Sequence, residues 1–190
     1  MFRLARAALP CLLSACATPQ RPADEPSPLT QSPASQRLAP LRQRISGMLP
    51  GARPEEWKRL GPDALIVLQQ IVNDPATYPE QRAQALRALP LADSPDARGV
   101  LEAYARDAHQ DPATRAGALD ATLSLPPPPD NTLGRGMLDD PAPPVRAAAA
   151  RVVAKLGGAG AREALEARLE KEEDAAVRQE VQRGLTALQP

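Results

Sequence analysis

Aromatic residues make up only 2% of this 190-residue chain, histidine occurs once, and cysteine occurs twice. So few aromatics, with few β-branched residues, exclude a β-sandwich or barrel. One His and two Cys cannot assemble a multi-ligand zinc site. Lysine is nearly missing, since 20 of the 23 basic residues are Arg. An excess of either charge is missing too: 23 basic residues face 23 acidic ones, which argues against a strongly basic nucleic-acid binder. That balance and a charged fraction of 24% also argue against a wholly disordered chain. Yet no stretch approaches the ~18 consecutive apolar residues of a transmembrane helix. What remains is alanine, leucine, arginine and 23 prolines, a helix-former's composition with many interruptions.

Met1–Arg6 carries Arg3 and Arg6 and no acid, and Ala7–Ala15 is an apolar run of nine residues. That is the layout of a secretory signal, too short to span a hydrocarbon core of roughly 30 Å. The run ends Leu13-Ser14-Ala15-Cys16, which resembles the bacterial lipobox. Cys11 fits that pattern poorly, because it follows Pro10 inside the apolar run. The resemblance implies that residues 1–15 are removed, that Cys16 becomes a lipidated N-terminus, and that the domain keeps no free thiol. Ala17 rather than Asp follows the cysteine, which resembles the enterobacterial default for the outer membrane. The expected location is therefore the bacterial cell envelope, with the membrane reached through the lipid. Ala17–Gln36 holds five prolines and almost no large apolar residue, the composition of a disordered tether spanning 16–36. Extended at about 3.1 Å per residue, it would reach roughly 60 Å.

The remainder repeats. Asp74–Leu89, Asp111–Leu123, Asp140–Leu156 and Glu173–Leu188 align on Arg82, Arg115, Arg146 and Arg178, with spacings of 33, 31 and 32 residues. Three residues before each arginine stand Pro79, Pro112, Pro143 and Ala175. Proline fits the first position of a helix, where its missing N–H would be unbonded in any case. Three residues after come Ala85, Ala118, Ala149 and Val181, small enough for helices to approach closely. Leu89, Val153 and Leu185 lie seven residues past their arginines, while Thr122 interrupts that row beside Leu123. Each segment reads as a helix with a narrow Ala-Leu stripe and a helix-capping acid in the turn before it: Asp74, Asp111, Asp140 and Asp174. Partner helices are expected around Leu65–Val72, Leu101–Tyr104 and Leu165–Leu169. The third partner, Asn131–Leu138, is weakened by Gly134 and Gly136.

This pattern resembles the HEAT family, most closely its short repeats of the phycobilisome-lyase type, over residues 62–190. The resemblance implies an all-α, right-handed α-solenoid of about four to five helical hairpins, with the arginine-bearing second helices along the concave face. Before the repeats, Leu38, Leu41, Ile45, Met48 and Leu49 share one helical face, and Pro54–Gly61 reads as a short helix. Residues 37–61 are thus expected to cap the stack, which a solenoid requires at its ends.

Catalytic patterns are scarce. His109 lies beside a polar turn, and Asp139-Asp140 precedes Pro141, where turn capping is the simpler role. No Ser-His-Asp order, phosphate loop or zinc motif occurs, so no catalytic residue, cofactor or metal is assigned. The row Arg82, Arg115, Arg146 and Arg178 is either a partner-binding track or a structural bridge to turn acids and carbonyls. Arg37–Arg59 holds six bases against two acids, and Arg162–Glu180 four bases against seven acids. The expected function is a non-catalytic protein-interaction scaffold whose partner is an unidentified envelope protein or peptide. The alternative is an accessory or ligand-binding protein related to HEAT-type lyases. Nucleic acid is disfavoured by export and by a mature net charge of −2, from 21 bases and 23 acids.

Overall fold

The computed structural model describes residues 33–48, 54–60, 63–92, 94–128 and 130–188. The expected signal, Cys16 and the expected tether as far as residue 32 lie outside the described residues. The described residues form ten α-helices: α1 (Pro33–Met48), α2 (Pro54–Lys58), α3 (Asp63–Asn73), α4 (Pro79–Ala88), α5 (Ala97–Arg106), α6 (Pro112–Thr122), α7 (Thr132–Gly136), α8 (Pro143–Leu156), α9 (Ala161–Lys171) and α10 (Ala175–Ala187). A 3-10 turn, Leu89–Ala92, extends α4. Helix α1 begins at Pro33, so the last four residues assigned to the tether by composition belong to it.

The starts of the second helices are legible in the chain. Pro79, Pro112 and Pro143 open α4, α6 and α8, and Asp174 opens α10 by accepting the N–H groups of Ala176 and Val177. At the other ends the chain must turn back sharply. Between α8 and α9 it does so through Gly157, Gly158 and Gly160, all at positive φ, where glycine avoids the Cβ clash.

Four pairs form: α3 with α4, α5 with α6, α7 with α8, and α9 with α10. The second helices also pack on one another in sequence, α4 on α6, α6 on α8 and α8 on α10. The first helices make at most marginal contact among themselves. One layer is therefore continuous and the other open, the arrangement of an α-solenoid. Helix α1 packs on α3, and α2 reaches the 3-10 turn, so the N-terminal end is covered. Ile45 of α1 is fully buried and Trp57 of α2 is 2% exposed.

Ala85, Ala118, Ala149 and Val181 are all completely buried, as close approach of the second helices demands. The residue after each of the first three, Leu86, Leu119 and Ala150, is buried as well. In the last repeat that position is Gln182, which is exposed, with Gln179 and Arg183 exposed beside it. The outer face of α10 is therefore polar where the matching positions of α4, α6 and α8 are apolar. Gly134 shows why the glycine-weakened third partner is nonetheless a helix, though only five residues long. A Cβ there would lie 2.9 Å from Val152 and 2.7 Å from the Asn131 side-chain oxygen, so only glycine lets α7 sit against α8.

The same test separates two other glycines. At Gly184 a Cβ would stand 2.9 Å from that of Ala154 and 3.2 Å from Leu165 Cδ1, whereas Gly99 has nothing within 4 Å. Gly184→Ala is expected to destabilise the fold by about 1–2 kcal/mol through overpacking. Gly99→Ala, in an open helical position, is expected to stabilise it by about 0.5–1 kcal/mol. Urea midpoints at unchanged slope measure both; equal shifts in the two variants would mean that α8 and α10 are not that close.

Candidate functional site

The arginine row sits where each first helix turns into its second. Arg82 donates to the carbonyls of Asp74 at 3.3 Å and Thr77 at 3.5 Å, and to Asp111 Oδ2 at 3.4 Å. Arg115 donates through Nε to the Ala105 carbonyl at 3.1 Å and through both terminal nitrogens to the Asp140 carboxylate. Arg146 binds the carbonyls of Asp140 and Pro141, each at 3.0 Å, and grips Glu172 with Nε at 2.7 Å and Nη2 at 2.8 Å. Arg178 donates to the carbonyls of Leu169 at 2.9 Å and Glu172 at 2.8 Å. The geometry is periodic. Each guanidinium fastens its own turn by carbonyls, and the first three reach the carboxylate of the next turn. Arg42 of α1 extends the series backwards by pairing with Asp74. Arg178, in the last repeat, has no carboxylate partner among the described residues.

The four turn acids divide. Asp111 and Asp174 cap α6 and α10 directly. Asp74 and Asp140 correct the expectation of helix capping. They stand further back in longer turns, and close those turns by accepting the N–H groups of Ala76 and Ala142. The Ala76 N–H and Arg42 hold Asp74 below the ordinary carboxylate value. Burial pushes Asp111 upward, but its bonds to Thr114 outweigh this and leave it lowered.

In the last inter-repeat link the acid is Glu172, not Asp174. Glu172 is buried, at 3% exposure, and its carboxylate accepts the N–H groups of Glu173 and Asp174 and also meets Arg168 Nη2 at 3.0 Å. The Arg146 guanidinium foremost lowers its pKa from an ordinary 4.5 to about 2. The repeat alignment named Asp174 in this turn and missed Glu172, because both acids, 26 and 28 residues after Arg146, fall within the 25 to 29 residues that separate Arg115 from Asp140 and Arg82 from Asp111.

A second charged row runs across the second helices. Arg151 of α8 binds Asp120 of α6 at 2.9 and 2.7 Å and approaches Glu180 of α10 at 3.6 Å. Arg183 adds a bond to Glu180 at 2.8 Å. One guanidinium therefore spans three repeats. His109 is exposed, and its backbone N–H donates to Asp107. Asp139 pairs with Lys171 and Arg168. Among the described residues no group of three or more His, Cys, Asp or Glu could hold a metal ion, and no helix is long and apolar enough to cross a membrane.

Part of the chain matches known repeats. The family model for HEAT repeats matches residues 131–186, the last two helix pairs. The fold is similar to that of a chain in the complex of CpcE and CpcF of phycocyanin lyase from Nostoc sp. PCC7120. The TM-score is 0.52 over 77% of this chain and 98% of that one, at 16% identity. At that identity the likeness is one of fold. No curated protein matches the sequence.

Because Glu172 has its pKa lowered in the folded state, its contribution is complete above about pH 4.5 and is lost as pH falls toward about 2. Glu172→Gln is expected to cost about 3 kcal/mol at pH 7, the cost of leaving Arg146 without its buried partner. The gap from the wild type should narrow steadily in acid. Denaturant titrations from pH 7 to 2.5 measure this, and a gap independent of pH would mean that Glu172 is not ionised in the fold.

Proposed function

We propose that this chain is a lipid-anchored, non-catalytic scaffold of the bacterial cell envelope that binds another protein through its helical stack. The observation supporting this reading is that the stack is continuous while its own charges are consumed internally. Three of the four row arginines and Arg151 are tied to carboxylates of neighbouring repeats. A carboxylate so paired stays ionised at neutral pH, which suits it to a structural role and not to general acid catalysis. Binding then falls to shape and hydrogen bonding over an extended surface. The similar Nostoc chain belongs to a two-subunit complex, which favours a protein partner.

The lyase-related alternative rests on that same likeness. A planar chromophore needs accessible aromatic faces, and here Trp57 is 2% and Tyr104 7% exposed, leaving only Tyr78 in the open among the described aromatics. The interaction reading is therefore preferred.

Anchoring and partnering are tested separately. Cells fed labelled palmitate should label the wild type, and Cys16→Ser should lose both label and membrane fractionation. An unlabelled wild type would overturn the anchor. Chemical cross-linking in intact cells, followed by purification of the full-length chain, should yield one near-stoichiometric protein partner. Recovery of the chain alone would overturn the scaffold.

A further inference from the structure

Every arginine of the row but the last finds a carboxylate in the turn of the next repeat. Arg178 is half-buried and is anchored as Arg146 is. Arg146 gives Nη1 to the carbonyl six residues before it, that of Asp140. Arg178 gives Nη1 to the carbonyl six residues before it, that of Glu172, at 2.8 Å, and to that of Leu169 at 2.9 Å. In Arg146 the remaining edge, Nε and Nη2, closes on both oxygens of the Glu172 carboxylate at 2.7 and 2.8 Å. In Arg178 the same edge has no partner among the described residues. The last guanidinium is thus held by two carbonyls in the pose that binds a carboxylate one repeat earlier. Because the side chain is already ordered, a ligand that takes the open edge loses little conformational entropy there.

The surroundings select what can take that edge. Arg162–Glu180 holds four bases against seven acids, and Glu173, five residues before Arg178, is exposed. A polyanion such as nucleic acid or an anionic lipid surface is repelled by such a segment. A single carboxylate presented in the right direction is not, because two parallel charge-assisted bonds from one guanidinium edge act at close range. Beside Arg178 on α10, Gln179 and Gln182 are exposed and offer neutral donors and acceptors. Arg183, also exposed, is occupied by Glu180. The apolar contacts that join α4 to α6 and α6 to α8 are missing from this face, so what docks here does so through polar groups.

We propose that Arg178 is a docking point for an Asp or Glu of another protein, whose carboxylate takes the Nε–Nη2 edge as Glu172 takes that of Arg146. This rests on the interaction reading above and gives it one surface and one partner chemistry. The partner presents a turn with a single exposed acid, flanked by neutral or basic residues, to the polar face of α10.

A photo-cross-linking residue placed at Gln182 of the full-length chain, four residues along α10 from Arg178, tests it in intact cells, with the linked peptides read by mass spectrometry. Links to another protein are expected, at a peptide with Asp or Glu within about five residues of the linked position. Arg178→Gln should lower the yield at least fivefold. Arg178→Lys, which keeps the charge and loses the fork, should lower it at least twofold, and decides the matter if Arg178→Gln does not fold. Exchanging the partner's acid for its amide should lower the yield as much as Arg178→Gln does, and the two changes together should lower it no further. Links within this chain or to a second copy of it, links to peptides without an acid, or a yield indifferent to the Arg178 variants would each overturn the proposal. A partner recovered by chemical cross-linking but never linked at Gln182 would overturn this proposal alone, whereas recovery of the chain alone by both methods would overturn the scaffold reading with it.

Discussion

The structure depends on one recurring bond set, an arginine at the start of a second helix that serves two repeats at once. A helix of 10 to 14 residues, the length of α4, α6 and α8, is marginal alone in water, so it must be held by its neighbours. The preceding first helix leaves its last carbonyls without partners inside the helix. Guanidinium has five donors in a rigid fork, enough to satisfy such carbonyls and still reach a carboxylate in the next turn. Arg115 shows both functions, with Ala105 behind it and Asp140 ahead. Lysine offers a single charged centre and no fork. That gives a physical place to arginine rather than lysine at these four turns.

Hydrophobic burial supplies the stability and the arginines supply the register. Completely buried alanines at 85, 118 and 149 let the second helices slide close, but alanine is nearly featureless and does not by itself fix which residue faces which. A bidentate ion pair such as Arg146 with Glu172 is directional, and a shift by one residue would leave both charges buried and unpaired. Arg151 adds a second constraint on the other side of the layer, joining α6, α8 and α10. Two sets of fixed points, at the turn edge and across the helices, limit how far the repeats can twist against one another.

Much of this was legible in the chain because it repeats. Proline at 79, 112 and 143 marked helix starts, the alanine row marked the packed face, and the arginine spacing gave the unit. The unread parts are those where tertiary contact overrides local pattern. Gly134 disfavours a helix by propensity, and α7 exists because a glycine is what fits against Val152 and Val153. Glu172 was hidden because caps and bridges are different jobs. Asp111 does both, and the last turn splits them between Asp174 and Glu172. Helix α1 begins at Pro33, four residues earlier than composition indicated, because proline-rich sequence and a helix's first turn look alike.

The ends show how a repeat array stops being one. Each repeat buries surface only against its neighbours, so an end must either find a substitute or become polar. The N-terminal end finds a substitute: α1 has no full repeat of its own, yet it supplies Ile45 to the core and Arg42 to Asp74, continuing both the packing and the ionic series by one step. The C-terminal end becomes polar. Gln182 takes the place of Leu86, Leu119 and Ala150, and Arg178 keeps its carbonyl bonds without a carboxylate ahead. The series of ion pairs is therefore directional, starting from a helix that gives an arginine and ending on an arginine that receives no acid. A further repeat appended after α10 would meet glutamine where apolar contact is needed.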